Sequence, residues 1–176
     1  WIYEIRHCFG YGAISMNDVI PHENKELLAQ ILGEVQNRAY IDVVRDIQQQ
    51  ITDQAELIEV PVVHHFAPGV YMRQMDAKAG TLVVSKMHRT EHMNILLKGS
   101  LTVATENGIE LLKAPCVLKS MPGTKRIGYF HEDSSWIAVH PTEETDLEKI
   151  EQQVIVPEDE IDQFLVSLQG NCKEIE

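Results

Sequence analysis

The sequence predicts a mainly β protein, in which one barrel or sandwich of short strands carries helical segments at both ends. From about residue 57 to residue 141, apolar stretches of roughly six to ten residues alternate with turn residues, as in sandwiches and barrels. The flanking segments instead place apolar residues at helical spacing. The chain has 176 residues, 44% hydrophobic and 24% charged, which fits a globular chain. We therefore divide it into an N-terminal helical extension (1–56), a β-barrel (57–141) and a C-terminal helical segment (142–176).

The N-terminal extension is predicted to be helical over residues 23–53. One stripe follows Pro21 and a candidate N-cap, Asn24, and consists of Leu27, Leu28, Ile31, Leu32 and Val35. A second stripe consists of Val44, Ile47 and Ile51. Both patterns are typical of helices that bury one face.

The central part is predicted to form nine strands. They cover residues 57–66, 69–76, 81–88, 92–100, 101–106, 109–114, 116–121, 125–132 and 135–140. Asn107-Gly108 between two alternating apolar strands is the clearest hairpin signal, because both residues tolerate the positive φ of a type I′ turn.

Two helices are predicted after the barrel. Thr145 to Glu148 has the form of a capping box, with Thr145 as the N-cap and Glu148 at the third helical position. A second helix follows Pro157, with Ile161, Phe164, Leu165 and Leu168 on one face. We expect this helix to stop at Gly170.

The net charge of the chain disfavours two classes of binding partner. The net charge is −12, which disfavours nucleic acid and anionic membranes, because both require clusters of Lys and Arg. No apolar run reaches the roughly 20 residues that a membrane span needs. The three cysteines, Cys8, Cys116 and Cys172, form no CxxC pair and are read as free thiols of a reducing compartment.

The stretch SKMHRTEHMNILLKG, residues 85–99, carries the strongest chemical signal. If residues 89–91 form a turn, His88 and His92 converge across a pair of strands. Imidazole nitrogens suit Zn, Fe, Ni, Cu or Mn, but an open catalytic site needs about three protein ligands. His140, on the same strand face as Trp136 and Ala138, is the candidate third ligand. The alternative is that these histidines only line the barrel.

These residues also carry a family resemblance. Gly80-x5-Lys86-x-His88-x3-His92-x6-Gly99 resembles the first motif of the cupin family, G-x5-H-x-H-x3,4-E-x6-G. A second cupin motif is matched in part around Gly123. Lys86, His92 and Arg126 stand where the family has metal-binding His, Glu and His. The resemblance covers roughly residues 60–141 and implies a jelly-roll barrel.

Two cationic residues stand at positions where cupins have metal-binding histidines. If Lys86 and Arg126 point into the barrel, the pocket is cationic and suits a carboxylate, a phosphate or a sugar acid. Salt bridges to the abundant carboxylates are the alternative. We therefore assign Lys86 and Arg126 as candidate ligand-binding residues and leave the catalytic residues open.

The chain from residue 86 onward also resembles cupin-type proteins of bacteriophages. This resemblance implies a structural or virion-associated role, or non-catalytic binding of a small ligand, in the host cytoplasm or the virion. The alternative is a metal-dependent cupin enzyme, of isomerase or oxygenase type, that acts on a small polar or anionic molecule with one divalent Zn, Fe, Ni or Mn ion. The apolar helix stripes predict a homodimer or higher homo-oligomer, and phage structural proteins are further candidate partners.

Overall fold

The computed structural model describes residues 2–5, 40–54, 60–105 and 108–171. The predicted helix stripe from Leu27 to Val35 and the Asn107 turn position lie outside these residues. The described strands are β1 (Ile2–Ile5), β2 (Val62–Ala67), β3 (Val70–Ala77), β4 (Leu82–Ser85), β5 (Met87–His88), β6 (His92–Lys98), β7 (Ser100–Thr105), β8 (Gly108–Lys113), β9 (Cys116–Ser120), β10 (Ile127–Phe130), β11 (Ser134–Pro141) and β12 (Ile155–Val156). The described helices are α1 (Tyr40–Gln54), α2 (Leu147–Val154) and α3 (Ile161–Asn171), with a 3-10 turn at Glu158–Glu160.

The strands form two facing five-stranded sheets. The first sheet has the order β1-β4-β10-β7-β8 and the second has the order β2-β3-β11-β6-β9. Eight of the strands pair in nested antiparallel fashion: β3 with β11, β4 with β10, β6 with β9, and β7 with β8. A long hairpin rolled up on itself produces this order, which is that of a jelly roll. The mainly β jelly-roll barrel with helical extensions is therefore confirmed.

Helix α1 covers the outer face of the first sheet. Its buried stripe includes Val44, Ile47 and Ile51, as the sequence predicted. The stripe packs against three side chains that lie in one row across β4, β7 and β10, namely Val84, Ala104 and Ile127. Burial of apolar surface at about 25 cal/mol per Å² holds this helix to the barrel.

The space between the sheets contains the main apolar core. Its members alternate along their strands with residues of the outer faces and include Met75, Val83, Leu96, Leu101, Val103, Leu112 and Phe130. The predicted hairpin is present, since β7 and β8 pair from Ser100–Lys113 to Thr105–Gly108. The core stops short of one end of the barrel, where polar side chains take over.

The C-terminal segment closes this polar end. Ile150, Val154 and Ile155 pack on Tyr71, while Val156 and Ile161 pack on Met87. Strand β12 pairs with β5, so that Ile155 lies opposite His88. The segment is thus part of the wall of the barrel interior.

The structure corrects two predicted helix boundaries in this segment, the start of α2 and the end of α3. The N-cap of α2 is Asp146, not Thr145, because the Asp146 carboxylate accepts the amides of Glu148 and Lys149. The amide of Thr145 instead donates to the Glu144 carboxylate. Helix α3 continues through Gly170 to Asn171, since a glycine costs a helix only about 1 kcal/mol.

Among the helices of the described ranges, none combines the length and apolar character that a membrane crossing requires. Cys116 is a half-buried free thiol in β9. The homo-oligomer stays a prediction.

Candidate metal centre and its cavity

A cavity of about 90 Å³ lies between the sheets at the end closed by β12. One part of its wall is polar and the other apolar. The polar part consists of Arg73, Ser85, Lys86, His88, His92, Asn94, Arg126 and His140. The apolar part consists of Met75, Val83, Leu101, Val103, Gly128, Phe130, Trp136, Ala138 and Ile155. The cavity can hold a small molecule in contact with both surfaces.

The three predicted histidines meet in this wall. One ring nitrogen from each of His88, His92 and His140 lies within 4.8 Å of the others. The ring centroids are 4.2 Å apart for His88 and His92, 4.6 Å for His92 and His140, and 5.5 Å for His88 and His140. His92 and His140 are buried and His88 is half-buried. Their role as ligands stays a prediction, but their convergence is observed.

A break in the strand at Lys86 places His88 in the cavity. Strict alternation from β4 would put His88 on the same face as Val84, which packs outward against α1. Residue 86 belongs to neither β4 nor β5, and the alternation reverses there. Ser85 and Lys86 consequently both line the cavity, and His88 follows them.

The second sheet positions the other two imidazoles. His92 and Asn94 point inward from β6, while Trp136, Ala138 and His140 point inward from β11. The two strands are neighbours, with Asn94 opposite Ala138. The shared face of Trp136, Ala138 and His140 was predicted from the alternation in β11, and the structure directs this face inward.

The hydrogen bonds of the histidines fit a metal ion. His92 Nδ1 lies 3.1 Å from the Thr90 carbonyl oxygen, which can only accept, so Nδ1 carries the proton and Nε2 keeps its lone pair. His140 Nδ1 is buried and has no hydrogen-bond partner among the described residues. A buried polar atom without a partner costs free energy. A metal ion bound to this nitrogen would satisfy it, so the donor set fits the group that the cupin resemblance implies.

The electrostatics of the cluster favour neutral rings. Burial, with smaller contributions from His92 and Arg73, lowers the pKa of His140 to about 4. Burial also lowers the pKa of His88 well below its ordinary value and lowers that of His92. Neutral imidazole is the form that binds metals, so no proton has to leave these rings near neutral pH.

Arg126 is fixed by a chain of hydrogen bonds that crosses the cavity wall. Its Nη1 donates to Ser120 Oγ at 2.6 Å, and Asn94 Nδ2 donates to the same oxygen at 2.6 Å. Trp136 Nε1 donates to Asn94 Oδ1 at 3.1 Å. Asn94 and Ser120 are buried, so these bonds form where water does not compete.

Lys86 and Arg73 complete the charged wall. Lys86 Nζ donates to Glu151 Oε1 of α2 at 2.6 Å, so the predicted alternative of a salt bridge is realised there. Arg73 was not predicted, although it occupies the inward position between Tyr71 and Met75 in β3. The sequence signal that could have identified Arg73 is its position as a cation between inward-facing apolar residues.

The other described histidines and Glu91 lie outside the cavity wall. His131 bonds Thr102, and His64 and His65 bond Tyr71 and Gln74. Glu91, which precedes His92, is exposed and paired with Lys119 at 3.3 Å. None of these four residues is among the described residues that line the cavity.

The sequence matches no protein-family model and no curated protein. Similar solved structures include a cupin-2 domain containing protein from Shewanella frigidimarina, at 12% identity and a TM-score of 0.39, over 55% of this chain and 92% of that one. Another is the protein KdgF from a Halomonas species, at 16% identity and a TM-score of 0.41, over 49% of this chain and 78% of that one. A third is an acetylacetone dioxygenase from Acinetobacter johnsonii, at 18% identity and a TM-score of 0.39, over 47% of this chain and 58% of that one. Such low identities and TM-scores identify neither an activity nor a ligand, and the fold follows from the strand pairing of this chain itself.

Proposed function

We propose that this protein is a metal-dependent barrel enzyme, of isomerase or oxygenase type, that acts on a small anionic molecule. His88, His92 and His140 hold one divalent transition metal ion in this proposal. The observation that carries it is the convergence of three imidazole nitrogens within 4.8 Å at the wall of a cavity. Imidazole donors are compatible with Zn, Fe, Ni or Mn.

The number of ligands and the cavity support a reactive rather than a structural site. Structural zinc sites are closed by four protein ligands, whereas catalytic sites keep a position open for water or substrate. Three histidines beside a cavity match the second type. A metal ion bound in such a site would act as a Lewis acid and polarise an oxygen group of the substrate.

The protein's own residues bind and orient the substrate. Arg126, fixed by Ser120, supplies positive charge at the cavity wall. Ile155 of the C-terminal segment forms part of the cavity wall and lies opposite His88 in the β12–β5 pair. The virion-associated role, the bacteriophage resemblance and non-catalytic ligand binding stay predictions.

Metal content tests the proposal directly. The purified protein is incubated in turn with Zn, Fe(II), Ni and Mn salts, dialysed, and subjected to elemental analysis beside a His88→Ala/His92→Ala double variant. We expect about one metal ion per chain in the wild type and a large loss in the double variant, because two of three ligands are gone.

A His64→Ala/His131→Ala double variant is the matched control, since it removes two histidines outside the cavity. It should keep the wild-type metal content. Circular dichroism verifies that each variant is folded. Wild-type protein that retains none of the four metals would overturn the proposal.

A further inference from the structure

We propose that the outer face of the second sheet, which is turned away from the cavity, is the interface of a two-fold symmetric homodimer. The partner on this face is a second copy of the chain. The interface is independent of the metal centre, because none of the residues that form it is among the described residues that line the cavity.

The outer face of the second sheet carries a continuous apolar surface. Its members lie side by side through the strand pairing, and we call them the outer patch: Val63, Met72, Met93, Ile95, Leu97, Val117, Ile137 and Val139. Val117 is 62% exposed, Leu97 57% and Val63 47%, so a large part of this apolar surface faces solvent. Contiguous apolar surface on a globular protein marks an interaction site.

The helices of the described ranges bury their apolar faces elsewhere. Val44, Ile47 and Ile51 of α1 pack on the first sheet, and Phe164 and Leu165 of α3 pack at the cluster around Met87. The apolar clusters through which the described helices pack contain no residue of the outer patch. The first sheet therefore has a helix as its outer layer, whereas the outer patch of the second sheet is left for a partner.

The charge of this face favours a second copy over a charged partner. Among the described outward positions of the second sheet, two carry charge, Asp76 in β3 and Lys119 in β9, and these charges balance. The chain has a net charge of −12, so two copies repel each other over most of their surface. A neutral apolar face is where two such molecules can meet without placing like charges together.

The positions of the two charges match a two-fold axis. Val117, Ile95 and Ile137 lie in one row across the sheet, and Asp76 and Lys119 lie beyond this row on opposite sides and near opposite edges. A diagonal axis in the interface near Ile95 and Ile137 exchanges these two corners. Lys119 of each copy then faces the partner's Asp76, and the strands of the two copies cross, as in orthogonal sheet packing.

The size of the face also suits a dimer. Its five strands, about 4.8 Å apart and about seven residues long, give a footprint of roughly 500 Å². A stable interface buries about 800 Å² on each partner. The face therefore supplies more than half of that area, and side chains at its rim supply the remainder.

Sedimentation velocity of the full chain over a range of concentrations tests the interface. We expect a wild-type dimer, and we expect Leu97→Asp and Val117→Asp each to weaken dimerisation at least about hundredfold, because each places a carboxylate against apolar surface. Leu111→Asp is the matched control, since Leu111 is an apolar strand residue, 46% exposed, on the outer face of the first sheet. It should leave the dimer intact, and circular dichroism verifies that each variant is folded.

Charge reversal tests the two-fold arrangement. Lys119→Glu and Asp76→Lys should each weaken the dimer about tenfold, because like charges then face each other across the interface. The double variant restores opposite charges and should recover most of the wild-type affinity. A double variant no better than the single variants would contradict the pairing of these two residues.

Two further outcomes would refute the dimer on this face. Wild-type protein that stays monomeric at about 100 μM would mean that another molecule, or residues of this chain outside the described ranges, covers the outer patch. A dimer that persists unchanged in both Leu97→Asp and Val117→Asp would mean that the two copies meet on a different surface.

Discussion

Gly99 and Gly80 have the same backbone conformation but different surroundings. Their φ angles are +87° and +83°, in the region that only glycine adopts without strain. A Cβ on Gly99 would overlap Ser134 Oγ and lie 2.8 Å from the Ser134 Cα atom, whereas a Cβ on Gly80 would meet nothing within 4 Å. Gly99 is therefore required by both conformation and space, and Gly80 by conformation alone.

This difference predicts unequal costs for the same substitution. Gly80→Ala should lower the free energy of unfolding by about 1 kcal/mol, the cost of a side chain in the left-handed region. Gly99→Ala should lower it by about 3 kcal/mol or more, because the Ser134 backbone must also move. Urea denaturation of both variants and the wild type measures the two losses. Equal losses would show that the contact with Ser134 is unimportant.

Single residues also show what the sequence could reveal of the site. His88 and His92 were identifiable from their spacing around a predicted turn, and His140 from the alternation along β11. Lys86 looked equivalent to them by spacing, yet its partner Glu151 comes from α2, far along the chain. Ion pairs between distant elements depend on tertiary packing, which local patterns do not contain.

At the scale of elements, Arg89 makes three polar contacts between the barrel and the C-terminal segment. The Arg89 amide donates to the Val154 carbonyl at 2.8 Å, and its Nε donates to the Ile155 carbonyl at 2.9 Å. Its Nη2 pairs with Glu160 at 2.6 Å. Arg89, the residue that follows His88, thus contacts α2, β12 and the 3-10 turn.

Arg89→Ala should therefore loosen the whole segment. We expect a loss of about 2 kcal/mol, because two charge-assisted hydrogen bonds of the side chain disappear and the Ile155 carbonyl loses a donor. Hydrogen exchange should become faster in β12 and at the end of α2. Mass spectrometry of exchanged peptides provides the measurement.

Lys119→Ala is the control, because it removes an exposed ion pair with Glu91 that is worth little. It should leave exchange in β12 unchanged. If Arg89→Ala also leaves that exchange unchanged, the segment is held by its apolar contacts instead.

The elements themselves were largely predictable, and their ends were less so. Alternation located the strands of the barrel, and the helical stripe located α1. The N-cap of α2 moved from Thr145 to Asp146 because two carboxylates compete for amides there, and Glu144 takes those of Thr145 and Asp146. Local sequence offers several capping side chains, and geometry selects among them.

For the whole molecule, the nested pairing of strands is what assembles the site. β5, β6 and β11 each contribute one histidine, and β3 contributes Arg73 opposite Ala138 of β11. The sequence predicted the strands but not this register, so Arg73 was missed. The resemblance to the cupin motifs supplied the jelly-roll order that periodicity alone could not.

The buried histidines also make the stability of the metal-free protein depend on pH. Burial, together with the neighbouring His92 and Arg73, lowers the pKa of His140 to about 4, while an unfolded chain keeps the ordinary value of 6.5. The unfolded state therefore binds more protons between these values, and stability is fully present above pH 6.5 and lost as the pH falls towards 4. His140 alone should lower the free energy of unfolding by about 2 kcal/mol between pH 7.5 and pH 5.

The measurement is urea denaturation at both pH values, after treatment with a chelator, for the wild type and His140→Leu. Titration of carboxylates affects both proteins alike, so the difference between them reports His140 together with its electrostatic effect on His88. Because leucine binds no proton, the variant should lose about 2 kcal/mol less than the wild type on acidification. Equal losses in the two proteins would mean that His140 is protonated as easily in the folded barrel as in the unfolded chain, and that the interior at this end is open to water.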